Sequence, residues 1–173
     1  MDIIAIGYAG MSGTVKLIDY CHDRLLSRFT DSYIKKCRKI AADGMEVYSE
    51  AFLESEAYIE VGRGGCFAAL WDISQLLNKG MVVNYSDIPI RQEIIQICNE
   101  MDVNPYELES KGMYLLAVNN GYRVCDSLRE KGIVATVIGY TTDNNDKIIK
   151  SGEITRYIEK NRGKEELERI INK

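Results

Sequence analysis

The sequence predicts an α/β (α+β) fold, a mixed β-sheet covered by helices. Three observations carry this. Short β-prone runs alternate with helix-patterned segments through most of the chain, the pattern of helical layers on a sheet. Two glycine turns, "GYAGMSG" and "GRGG", each join a strand to a helix. A chain of 173 residues that is 46% hydrophobic and 28% charged suits one self-sufficient core, so residues 1–173 read as a single domain.

In chain order, "DIIAIGY" is a β-prone run closed by the turn "AGMSG". Ser12 or Thr14 is expected to cap a helix carrying the apolar stripe Val15, Ile18, Leu25 and Phe29. "TDSYIKKCRKIAA" is a second helix with Thr30 or Asp31 as its N-cap. "DGMEVYSEAFLESEA" is ambiguous: a turn at Asp43-Gly44, a short extended piece, then a weak helix. "AYIEV" is a strand, and "CFAALWDISQLLNKG" a helix expected to stop at Gly80. "MVVNY" is a strand, a helix follows Pro89, and "NPYELES" is a turn with a short helix. "GMYLLAVNN" (strand), "GYRVCDSLREKG" (helix) and "VATVIGYTT" (strand) follow. "TDNND" reads as a hairpin turn, and "DKIIKSGEITRYIE" as a hairpin about Ser151-Gly152. A charged helix, "GKEELERIINK", closes the chain.

Composition narrows the function classes. A net charge of -4 argues against nucleic acid as main partner, since phosphate backbones select basic faces. No apolar run approaches the ~20 residues that span a bilayer, and no basic region precedes the apolar start, so neither membrane nor secretion is expected and a cytoplasmic location is. Cys21, Cys37, Cys66, Cys98 and Cys125 are scattered, with no C-x-x-C and no Cys/His cluster, and read as free thiols rather than metal ligands. His22, the single histidine, lies among charged neighbours and reads as a surface residue. No metal site and no catalytic residue is assigned.

The stretch "EVGRGGC" admits three readings. Glycines let a backbone approach an anion, and a following helix N-terminus offers N–H groups and partial positive charge, with Arg63 as a charged donor. Cys66 stands where a helix begins, a position that activates an exposed thiol. The third reading is a tight corner, where glycine permits close packing. Neither glycine turn has the spacing of a P-loop or dinucleotide fingerprint. The candidate anion-binding residues are Arg63, Gly64 and Gly65, with Gly10 and Gly13 as a second wall.

Several segments together show a resemblance. "GRGGCFAALWDIS" is similar to the D-x-[ST]-x-G-G-[hydrophobic] segment of the C-terminal domain of the aminoimidazole ribonucleotide (AIR) synthetase, or PurM-like, superfamily. "IPIRQEIIQICNEMDVNPYELESKGMYLLAV" resembles its later block, in which a helix, an N/D-P turn and a [SN]-x-G precede a strand. "VIGYTT…IIKSGE" resembles its closing strand and hairpin, and "DIIAIGYAGMSGTVKLI" its first strand. By pattern the chain looks like the AIR-synthase-related hydrogenase maturation (HypE-type) group.

The resemblance implies a PurM C-terminal-domain-like fold and adds Ser110 and Gly112, which match the [SN]-x-G turn near the family's cleft. Full-length members use ATP to activate a substrate oxygen by phosphoryl transfer, and their N-terminal domain carries most of the acidic residues that hold magnesium. The 173 residues hold no counterpart of that domain, and the expectation is that it is absent. Glu60 stands where the family has aspartate, Gly62 replaces its Ser/Thr, and the ending "RIINK" lacks the terminal cysteine of HypE-type proteins, so carbamoyl transfer is expected to be absent. The expectation is a free-standing, non-catalytic module that binds a nucleotide-like or phosphorylated ligand or pairs with itself as a homodimer. The alternative is half of a split enzyme, with ATP and magnesium entering only beside a second chain that supplies the N-terminal domain.

Overall fold

The computed structural model describes residues 1–43, 49–160 and 166–171. Its strands are β1 (Asp2–Ile6), β2 (Ala57–Glu60), β3 (Gly80–Asn84), β4 (Tyr114–Val118), β5 (Ala135–Thr142), β6 (Lys147–Ser151) and β7 (Ile154–Tyr157). Its α-helices are α1 (Met11–Leu25), α2 (Asp31–Ala42), α3 (Ser49–Leu53), α4 (Gly65–Leu77), α5 (Gln92–Glu100), α6 (Gly121–Glu130) and α7 (Glu166–Ile171). Short 3-10 turns lie at Tyr85–Asp87 and Pro105–Glu107.

The strands form one sheet in the order β2-β4-β1-β5-β3-β6-β7, antiparallel except for the β3–β6 pair. Sequence explains the placing. β1 ("DIIAI") and β4 ("YLLAV") are apolar almost throughout and sit at interior positions, buried on both faces. The edge strands are mixed: β2 alternates half-buried and exposed, and β7 ("ITRY") is exposed along its length. α4 covers one face, where Leu70 and Ile73 meet Ile3, Ala5, Leu115, Met81 and Val83. α6 covers part of the other, where Val124 and Leu128 meet Ile4, Ile6 and Leu116. α1, α2 and α5 build a third core around Leu17, Ile18, Ile34, Ile94 and Ile97.

Thr30 caps α2, its side chain accepting from the Tyr33 amide, and β6–β7 form the expected hairpin with Ser151 opposite Ile154. Three local expectations are corrected. α1 is capped by Gly10 in the left-handed region, not by Ser12 or Thr14, because both side chains turn toward other partners: Ser12 to Glu109, Thr14 into the core beside Cys98. α4 ends at Leu77 with left-handed Asn78 as its cap, and Gly80 opens β3 instead. "TDNND" is not a hairpin turn. β5 and β6 flank β3 rather than pair, so the loop crosses the start of β3, where Gly80 N–H and Met81 N–H bond to the carbonyls of Asn144 and Asp146. The extended piece expected after Asp43-Gly44 lies outside the described residues.

Candidate functional site

The two glycine turns reach the same segment, residues 104–112, but meet it differently. At the first, Gly10 has φ +75° and donates its N–H to Ser110 Oγ at 2.7 Å. Ser110 is fully buried, and its hydroxyl donates onward to the Leu108 carbonyl at 2.9 Å. The Gly13 N–H bonds to the Glu109 carbonyl at 2.8 Å, and a Cβ on Gly13 would stand 2.8 Å from Leu108 Cβ. Gly10, Gly13 and Ser110 are thus brought together as a joint whose donors meet protein acceptors. Gly112 lies beyond it, its N–H on Glu60 Oε1 at 3.1 Å, beside a hollow of about 390 Å³ that also touches Tyr8, Lys16 and Lys111.

Glu109 anchors this joint. Lys16 lies 2.6 Å from its carboxylate, Lys111 3.9 Å, and the Ser12 hydroxyl donates to it at 3.3 Å. Burial alone would raise this carboxyl, but Lys16, Lys111 and Ser12 more than offset that and hold it below its ordinary value.

At the second turn, Gly65 is locked by packing: with φ +66°, a Cβ there would come within 2.3 Å of the Tyr106 carbonyl oxygen. Cys66 is buried, and desolvation pushes its thiol up to about 12, which removes the reading of a reactive cysteine. Arg63 points to α7 and pairs with Glu168. Gly64, the left-handed N-cap of α4, is largely buried but borders a groove of about 660 Å³.

That groove runs from the start of α4 to the β6–β7 hairpin and is lined by Phe67, Tyr85, Glu107, Arg156 and Lys160 besides Gly64. Tyr106 backs its aromatic side, stacked on Phe67 (centroids 6.1 Å apart, planes at 12°) and 4.5 Å from the Tyr85 ring centre. Burial pushes Tyr106 up to about 12 and raises Tyr85. Burial also raises Glu107, opposed by the hydrogen bond from Asn104 Nδ2 at 2.9 Å. The groove therefore joins flat apolar rings, a carboxyl shifted toward its neutral form, and two cationic side chains, Arg156 on β7 and Lys160 just past it, with Glu159 next to Lys160.

Of the residues singled out from sequence, only Gly64 lines this groove. Phe67, Tyr85, Arg156 and Lys160 were missed. The one available signal was the excess of tyrosine over phenylalanine, eleven against three, which does not say which rings gather. Among the described residues no group of three or more His, Cys, Asp or Glu side chains is arranged to hold a metal ion, and no helix is long and apolar enough to cross a membrane.

Residues 54–151 match the family model "AIR synthase related protein, C-terminal domain". A curated protein of Methanocaldococcus jannaschii, named for hydrogenase expression/formation, is 29% identical over 104 residues, covering 58% of this chain and 31% of that protein. Among solved structures, E. coli HypE superposes with a TM-score of 0.68 at 16% identity, over 96% of this chain and 52% of that one. The thiamine-monophosphate kinase of Stenotrophomonas maltophilia gives 0.63 at 15% identity, over 87% and 49%. The chain thus has the fold of one half of these solved relatives and spans about half their length.

Proposed function

This chain belongs to the AIR synthase related C-terminal domain family, and from that premise we propose that it is a non-catalytic binding module taking a nucleotide-like or phosphorylated ligand in the groove at Gly64. The observation behind this reading is the composition of that groove. Aromatic rings suited to a flat base share the groove with Arg156 and Lys160, whose charges suit a phosphate, and the Gly64 turn brings backbone close to the same space. The first glycine turn is left as a structural joint.

The test is calorimetric titration of the purified chain with adenosine and guanosine mono- and triphosphates and with ribose 5-phosphate. Arg156→Ala is expected to weaken binding of a phosphorylated compound about tenfold, in line with loss of one charge-assisted contact. Binding that ignores Arg156→Ala and Phe67→Ala alike would refute the site.

A second reading, half of a split ATP-dependent enzyme, is favoured by one fact: the solved relatives carry about as much chain again as the part matched here. It requires a separate protein to supply that half. ATP hydrolysis appearing only when such a protein is mixed with this chain would establish it.

A further inference from the structure

Among the described residues, the helical cover on the sheet face opposite α4 stops partway. The core on that side is built from β1, β4, the start of β5, α3, α6 and Ile133. Beyond it the register sets four large side chains in a row across the strands. Tyr140 stands opposite Val82, Val82 beside Ile148, and Ile148 opposite Tyr157. Val82 and Ile148 are half-buried, while Tyr140 is 50% and Tyr157 67% exposed. Neighbouring β6 residues point the other way: Lys147 lies over the Trp71 ring, and Ile149 belongs to the α4-side core.

Ile148 has charges of opposite sign two residues away on each side. Lys150 is exposed on β6, and Asp146 immediately precedes the strand, its carbonyl held by the Met81 N–H at 2.8 Å. The period of two puts Asp146, Ile148 and Lys150 on one face, the charges about 7 Å to either side of the apolar row. We propose that this open half-sheet is the contact surface for a second copy of the chain, packed face to face about a two-fold axis along the row Tyr140–Val82–Ile148–Tyr157.

Charge selects this arrangement. Rotation about an axis along the row reverses strand direction, so Asp146 of each copy meets Lys150 of the other, twice, around a central Ile148 contact. Rotation about an axis parallel to the strands would instead bring Lys150 onto Lys150. An uncharged row between opposite charges at equal distances is what an isologous contact needs. The row lies on the face of the sheet away from α4, and of its four members Tyr157, at the sheet edge, also borders the groove.

The experiment is sedimentation velocity and light scattering of the full chain over a concentration series, with circular dichroism to confirm that each variant folds. The wild type is expected to be a dimer, and Tyr140→Glu, at an exposed position outside the groove lining, a monomer. Asp146→Lys and Lys150→Asp each set like charges together and are expected to weaken association about tenfold or more. The double variant Asp146→Lys/Lys150→Asp restores it. A wild type that stays monomeric throughout overturns the proposal, as does a dimer indifferent to Tyr140→Glu or a double variant no better than the single ones. Because phosphate-ligand binding is read separately in the Tyr140→Glu monomer, whose substitution lies outside the groove lining, failure of the groove would not be mistaken for failure of the interface.

Discussion

The turn before α1 and the turn before α4 carry the same local signal, glycines between a β-prone run and an apolar helix, yet they end in different situations. Before α1, Gly10 gives its amide to a serine one hundred residues away, and Gly13 packs against the Leu108–Glu109 backbone. Before α4, the work is divided: Gly65 is pressed onto the Tyr106–Glu107 backbone, while Gly64 faces a groove. Glycine at a helix start therefore reports close approach, and what approaches decides whether it is a joint or a binding edge. Here the approaching backbone is mostly the protein's own segment 105–110.

Single methyl groups would break this comparison most sharply. Gly65→Ala places a Cβ 2.3 Å from a carbonyl oxygen on a residue already at φ +66°, and is expected to destabilise by about 3 kcal/mol or more. Gly13→Ala meets Leu108 Cβ at 2.8 Å without the backbone penalty and should cost about 2 kcal/mol. Gly62→Ala, with nothing within 4 Å of the added carbon, should be neutral or stabilise by up to about 1 kcal/mol. Urea melts of the three variants measure the order directly. A mild Gly65→Ala would mean that the α4 turn is not a packing joint.

Ser110→Ala comes next in size. It strips the buried Gly10 N–H of its acceptor and should cost about 1.5 kcal/mol by the same melts, while leaving affinity at the Gly64 groove unchanged. If ligand affinity fell with stability held, Ser110 would belong to a binding surface after all.

These variants also mark what the sequence could tell. The interior strands, the Thr30 cap and the Ser151-Gly152 hairpin were legible because period, capping chemistry and turn residues are local signals. The role of Ser110 was not, since its partner is separated by a hundred residues. Nor was the crossing path of "TDNND", because strand order is set by long-range pairing. The groove was hidden for the same reason: Gly64 and Arg156 belong to elements that only the complete sheet brings together.

The smallest effect concerns two glutamates, Glu107 at the groove and Glu109 at the joint, shifted in opposite directions. Glu109 lies below its ordinary value of 4.5, so the stability it confers is complete above that pH and fades as pH falls through the depressed value. Glu107 lies above 4.5, raised by burial, so the folded state takes up its proton before the unfolded state does. Its ionised form therefore opposes folding at neutral pH, and that opposition fades as pH falls through the raised value toward 4.5. Measured against wild type between pH 7 and pH 3, the stability deficit of Glu109→Gln should shrink as the medium is acidified. Glu107→Gln should show the reverse, with wild type gaining on the variant over the upper part of that range. Parallel curves for the two variants would contradict the division of segment 104–112 into a charged joint and a desolvated groove wall. Opposite slopes would place the boundary between those two environments within the two-residue step from Glu107 to Glu109.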